Sequence, residues 1–224
     1  MHIFSTSVLN KIIGMLTNAI IVRLFTKAEY GNFTYAYNLV TTIMVFSSLG
    51  INASLLQYGC EISDSKKRLG VEKALFLIGF ASNFIFSLCT LLYAIFIPLS
   101  TPTARTLLII LSFIPLFQFV YAGLNTELRI LRRNKDYARV TNIQTIAYFL
   151  FACAGAGILS TIGTSIGRYC GYIVPILLGV YMLRENLRKY TDIPCERKIG
   201  EYMKFSLWVL LTNDRRNAPL IFRK

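Results

Sequence analysis

VTNIQTIAYFLFACAGAGILSTIGTSIGRYCGYIVPILLGVYML, residues 140 to 183, carries one charged side chain, Arg168, in 44 positions. An α-helix rises about 1.5 Å per residue and needs about 20 residues to cross roughly 30 Å of hydrocarbon. The stretch therefore holds either one very long helix or two ordinary ones joined near Ser160 to Gly163. The flanking charges decide between them. Before the stretch stand Arg129, Arg132, Arg133, Lys135 and Arg139; after it come Arg184, Arg188, Lys189, Arg197, Lys198 and Lys204. One helix would put these two basic clusters on opposite faces of a membrane. Two helices return both to one face, as the enrichment of Lys and Arg in cytoplasmic loops requires. Two helices are expected, at 140–160 and 162–183.

Outward from there, Tyr30 to Cys60, Ala74 to Pro98 and Thr106 to Thr126 are likewise free of Asp, Glu, Lys and Arg. Each is long enough to span a bilayer, and none alternates apolar and polar positions as a membrane β-strand would. A content of 54% hydrophobic and 16% charged residues, with mean hydropathy +0.53, is too apolar for an ordinary soluble domain of 224 residues. The fold class expected is an all-α integral membrane protein with six spans, at roughly 4–25, 32–56, 74–97, 106–126, 140–160 and 162–183. The first competes with a signal-peptide reading, but no small-x-small cleavage site follows and the chain runs on as RLFTKAEYG from Arg23, so an uncleaved anchor is expected.

A further basic cluster, Lys66, Lys67, Arg68 and Lys73, precedes the third span. The alternate connections carry only Arg23 and Lys27, then Arg105, then Arg168, so basic-rich and basic-poor connections alternate along the chain. This places the three clusters and the N-terminus in the cytoplasm. Juxtamembrane cations near anionic headgroups gain on the order of 1 kcal/mol each, which accounts for the net charge of +13 without a nucleic-acid partner.

Several chemistries find no support. Cys60, Cys89, Cys153, Cys170 and Cys195 show no C-x-x-C spacing, His2 is the lone histidine, and there is no P-loop, G-x-S-x-G or G-x-G-x-x-G. No catalytic residue, metal or cofactor is expected, and the chain does not read as an enzyme. The eleven acids, among them Glu29, Glu61, Glu72, Glu127, Asp136 and Glu185, fall in loops or at helix ends. No carboxylate is thus expected inside a span to carry a proton. A driving ion would need a site of neutral oxygens or one outside this segment.

Polar groups inside spans are functional suspects because hydrocarbon penalises them. Arg23 sits at the outer end of the first span and Arg168 about one and a half turns into the sixth; either snorkels to headgroups or faces an aqueous cavity. A neutral set follows, comprising Asn10, Asn18, Asn38, Asn83, Gln118, Asn125, Asn142 and Gln144, suited to interhelical hydrogen bonds or a polar face. Gly163, Gly167 and Gly171 form a small-residue stripe for close packing, and Pro115 and Pro175 fall inside spans as bends.

RLFTKAEYGNF, from Arg23 to Phe33, resembles the stretch that closes the first helix and opens the second in the polysaccharide flippases of the multidrug/oligosaccharidyl-lipid/polysaccharide exporter superfamily. Gly31 within it reads as a turn residue free to take positive φ. SLGINASLLQYG (Ser48 to Gly59) is similar to the end of that family's second helix, LRRNKDYARV (Leu131 to Val140) to its basic loop between helices four and five, and YMKFSLWVLL (Tyr202 to Leu211) to the start of its seventh. The resemblance implies one six-helix lobe of a two-lobe, O-antigen-type transporter in a bacterial inner membrane. It implies a cargo of undecaprenyl-pyrophosphate-linked oligosaccharide and alternating access between the two faces. Cationic residues would pair with the pyrophosphate, so the implied substrate-binding set is Arg23 and Arg168, with Asn18, Asn142 and Gln144 nearby.

On this reading residues 1–183 form the lobe, 184–204 a basic cytoplasmic linker, and 205–224 a truncated start of the seventh helix with a polar tail, the second lobe being absent. The partners implied are membrane lipids, lipid-linked oligosaccharide and other membrane proteins of polysaccharide assembly. A multidrug exporter of the same superfamily and a non-transporting membrane scaffold subunit remain alternatives.

Overall fold

The computed structural model describes residues 2–97, 99, 101–194 and 200–212. Its elements are α1 (His2–Leu24), α2 (Lys27–Ser47), α3 (Ile51–Glu61), α4 (Ser65–Phe96), α5 (Pro102–Leu111), α6 (Ile114–Ile130), α7 (Asn134–Asp192) and α8 (Gly200–Thr212). Pro98, Cys195, Arg197, Lys198 and the polar tail from 213 lie outside the described residues, so what was expected of them has no structural counterpart.

Five helical runs are long and apolar enough to cross a membrane: Ser7–Leu24, Lys27–Glu61, Ser65–Phe96, Pro102–Ile130 and Asn134–Arg188. The last is two spans. Leu159 (φ −126°, ψ 18°) and Ser160 (φ 51°, ψ −127°) leave helical geometry, and the arms 134–158 and 161–192 fold back on each other. The contact is backbone on backbone. A Cβ built on Gly163 would lie 2.1 Å from the Gly155 carbonyl oxygen, and one on Gly167 would lie 2.5 Å from that of Phe151. Gly171 meets Tyr148 in the same way. These pairs are nearly equidistant from the turn, which defines an antiparallel hairpin, and the glycine stripe read from the sequence is its seam.

Side-chain bonds tie the two ends of the bundle. At one end Ser160 Oγ donates to Glu29 Oε1 (2.8 Å), Thr101 Oγ1 donates to Asn32 Oδ1 (2.9 Å), and Arg105 Nε donates to the Ala94 carbonyl at the end of α4 (2.9 Å). At the other, Lys73 Nζ donates to the carbonyls of Tyr190 (2.8 Å) and Ile193 (2.9 Å), and an Arg133 guanidinium nitrogen donates to the Met182 carbonyl (2.9 Å). The clusters around Lys73, Arg133 and Arg188 therefore meet at one end. Large apolar side chains such as Ile158 (79% exposed) and Phe96 (78% exposed) cover the outside, as a lipid-facing surface requires. Residues from α1, α2, α4, α5, α6 and α7, including Val40, Leu107, Leu111 and Ala152, fill the core at the basic-poor end.

Helices overrun the apolar stretches wherever capping residues permit. Thr26 caps α2 in a reciprocal box with Glu29, Asp64 caps α4, and Thr101 caps α5. This corrects the turn reading of Gly31. With Thr26 as N-cap the helix has already begun, Gly31 is exposed inside α2, and Gly50 is the glycine with positive φ among the described residues. Pro115 likewise sits in the first turn of α6, where its missing N–H costs nothing, while Pro175 does lie within a helix.

Gly163→Ala should lower the stability of the purified chain by about 1–3 kcal/mol, because the obstruction is backbone and cannot swing aside. Gly157→Ala, with nothing within 4 Å of its Cβ, should leave it unchanged. Thermal unfolding in detergent compares the two.

Candidate translocation site

Two spans are broken where they pass one cavity. The second span stops at Ser47 and restarts at Ile51, with Leu49 (φ 46°) and Gly50 (φ 67°) both left-handed. Left-handed backbone at a leucine costs on the order of 1–2 kcal/mol, so the neighbours must hold it. They do so from α4: Asn83 Nδ2 donates to the Ser47 carbonyl (3.2 Å) and Ser82 Oγ donates to the same oxygen (3.0 Å). Ser47 Oγ donates to Asn83 Oδ1 (2.8 Å). Non-helical backbone at membrane depth is tolerated where protein groups take up its hydrogen bonds or where it lines a water-filled cavity. The fourth span breaks at Ser112 and Phe113, ahead of Pro115; Ser112 Oγ donates to the Ile109 carbonyl (2.8 Å) and the Tyr169 hydroxyl donates to that of Ile110.

Between the breaks lies a cavity of about 720 Å³, lined by Tyr37, Thr41, Ser48, Gly50, Asn52, Asn83, Pro115 and Gln118, with Val209 of α8 on its wall. Asn52 Oδ1 is buried there without a hydrogen-bond partner. Hydroxyls and amides of this kind pair with sugar hydroxyls or water.

Arg168 stands beside this cavity in an aromatic cage. Its guanidinium carbon is 3.8 Å from the ring centre of Tyr37, 4.9 Å from that of Tyr148 and 5.4 Å from that of Phe33. Phe33 and Tyr37 are four residues apart on α2 and so share a face. Tyr148 and Arg168 come from opposite arms of the α7 hairpin. A guanidinium is flat and weakly hydrated, so aromatic faces can hold it where an ammonium would be stranded, each contact contributing about 0.5–2 kcal/mol. Ring faces do not consume its N–H groups: Arg168 Nε and the Tyr148 hydroxyl are both buried without hydrogen-bond partners. Among the described residues no carboxylate lies within ion-pair distance of Arg168. The Tyr37 ring both stacks on Arg168 and lines the cavity, and Tyr172 donates to Gln118 Oε1 (3.1 Å) next to it.

Of the five residues implied by the resemblance, Arg168 alone has this setting. Arg23 is exposed in the last turn of α1, and Asn18 is exposed on the same helix. Asn142, with Oδ1 buried and unpartnered, and Gln144 are half-buried on the first arm of α7; none of these four lines the cavity. The cage tyrosines and Asn52 were not singled out from the sequence. The four-residue spacing of Phe33 and Tyr37 was the available signal, but in an apolar span it reads as core. Among the described residues no group of three or more His, Cys, Asp or Glu comes together to hold a metal ion.

The polysaccharide biosynthesis protein family model matches residues 1–213. The chain belongs to this family. No curated protein matches it. Among solved structures it is similar to a MOP superfamily transporter from Pyrococcus furiosus, with a TM-score of 0.65 at 13% identity, covering 93% of this chain and 50% of that one. The architecture is therefore one lobe of the two-lobe transporter fold, and the chain spans half the length of that transporter.

In a cysteine-free background, Thr41→Cys and Gln118→Cys should be modified by a water-soluble thiol reagent in membranes, and Leu177→Cys, on the apolar exterior, should not. Equal reactivity at the three positions would contradict an aqueous cavity.

Proposed function

We propose that this chain forms one lobe of a transporter, not an enzyme, that carries a lipid-linked oligosaccharide of the undecaprenyl-pyrophosphate type across a bacterial inner membrane. The N-terminus and the three basic clusters face the cytoplasm. The observation that carries the reading is Arg168: a cation inside a span, held by aromatic faces, with donor capacity left over and a polar cavity alongside. A pyrophosphate supplies the acceptor oxygens that this guanidinium lacks, and the planar fork of donors suits them. Thr41, Asn52 and Gln118 then face the sugars, while the lipid tail stays in the bilayer beside the apolar exterior. Substrate sites beside broken helices are a recurrent arrangement in transporters, where one lobe rocks against the other around a site near the midplane.

Charge-assisted hydrogen bonds contribute about 1.5–3 kcal/mol, so Arg168→Ala should weaken binding of a polyprenyl-pyrophosphate saccharide to the chain in lipid nanodiscs by about 10- to 100-fold. Binding of the uncharged polyprenol should not change. Native mass spectrometry reads both; equal affinity for the charged and neutral lipids would remove the proposal. For sidedness, reporter fusions at Arg132 and at Arg188 should both report the cytoplasm. Opposite sides would overturn the orientation.

A further inference from the structure

At the basic end of the lobe, away from the cavity, two carboxylates that the sequence places at helix ends are packed inside. Glu72 of α4 is 2% exposed and Glu127 of α6 is 9% exposed. Both meet the hydroxyl of Tyr190, near the end of α7, which stands 2.7 Å from Glu72 Oε2 and 3.1 Å from Glu127 Oε2. From α3 comes Gly59, whose bare backbone packs so closely that a Cβ there would lie 2.8 Å from Glu72 Oε1 and 2.4 Å from an Ile130 methyl carbon. Glu127 lines a cavity of about 190 Å³ with Glu72, Lys73 and Tyr190, and its Oε1 is buried without a hydrogen-bond partner.

The hydrogen count is decisive. A phenol has one proton, so Tyr190 can donate fully to one carboxylate; the other can bond to the phenol oxygen only by donating a proton of its own. Burial, reinforced by the Glu127 and Glu72 carboxylates, holds the Tyr190 hydroxyl far above the ordinary phenol range, so Tyr190 keeps its proton. The one ion pair distinguishes the two. Arg68 Nε is 3.6 Å from Glu72 Oε1 and favours the ionised form there; its charge also acts on Glu127, which it does not touch. Lys73 is turned away onto the Tyr190 and Ile193 carbonyls, and Glu127 has no cation within ion-pair distance among the described residues. Two like charges joined through one atom in a dry site do not both persist.

We propose that Glu72, Glu127 and Tyr190 form a one-proton binding site: Glu127 holds the proton and donates it to the Tyr190 oxygen, and Tyr190 donates to Glu72. When Glu127 releases that proton to water, two carboxylates compete for one O–H, and Tyr190 must abandon one of them. Tyr190 and the Lys73-bound carbonyls lie where α7 ends, so the proton fastens α4 and α6 to the origin of the segment that leads to α8. The site is separate from the Arg168 cage and does not depend on which cargo the cavity takes.

Infrared spectroscopy of the purified chain in lipid nanodiscs tests it. At neutral pH the wild type should show the carbonyl stretch of a buried carboxylic acid, lost on raising the pH. Glu127→Gln, whose amide can donate to the Tyr190 oxygen, should lack the band, and its unfolding temperature should stay flat from the ordinary carboxylate range up to the pH at which the wild-type band is lost. The wild type should lose stability across that window, as a proton bound only by the folded state requires. A wild type with no such band, a band that survives in Glu127→Gln, or a wild-type stability that follows sodium concentration at fixed pH would each overturn the proposal. Arg168→Ala should leave both the band and the pH profile as in wild type, which separates this site from the cargo reading.

Discussion

Two arms of one continuous helical run are held with backbone against backbone, because Gly155, Gly163 and Gly167 present nothing between them. In a bilayer the lipid tails are as apolar as any side chain, so helices gain little from burying apolar surface against each other and must gain from close contact instead. The α7 hairpin is that contact in this lobe. It sets Tyr148 opposite Arg168, because those residues lie on facing arms. It brings Arg184 and Arg188 back to the end where Arg129 and Arg133 begin, and it delivers Tyr190 to Glu72 and Glu127. A single long helix would have separated all of these.

The second constraint is that a buried backbone group must find a partner. The breaks at Leu49–Gly50 and Ser112–Phe113 each free carbonyls from the helical ladder, and each is answered from a neighbouring helix, by Asn83 and Ser82 in one case and Tyr169 in the other. Asn83 and Tyr169 are thus structural, although Asn83 lines the cavity. Once the breaks are satisfied from behind, the cavity-side groups of Thr41, Asn52 and Gln118 remain for something else. Asn52 Oδ1 has no internal partner, and the Thr41 hydroxyl oxygen and the Gln118 amide nitrogen keep capacity beyond the bonds to Asn38 and Tyr172.

How much of this the sequence disclosed depends on what each property responds to. Span number and the hairpin were legible because they follow from charge and length, which are linear properties; the turn fell at Leu159 and Ser160, within a residue of the expected junction near Ser160 to Gly163. The break within span two was not read, since Leu49 looks like any other residue of an apolar run; in span four Pro115 gave the bend, and the structure puts the break just ahead of it, at Ser112 and Phe113. The same limit hid the cage. Aromatic residues in a hydrophobic stretch ordinarily pack against lipid or core, and only the fold shows three of them around one guanidinium. Glu72 and Glu127 were placed at helix ends, beside the apolar stretches, and that position says nothing of burial, which is set there by Gly59 and by the end of α7. The fold packs both carboxylates inside the bundle, near the ends of the spans they adjoin.

Arg168 and Tyr190 share the second arm of α7, 22 residues apart, which is roughly 33 Å along a helix rising about 1.5 Å per residue. Pro175 lies between them and removes the hydrogen bond that the Gly171 carbonyl would accept. Above this point the arm is pinned to its partner arm by the glycine seam; below it, Tyr190 and the carbonyls held by Lys73 fix the arm to α4 and α6. The missing bond makes the helix easiest to bend at that point. Movement of the lower segment therefore need not disturb the cage.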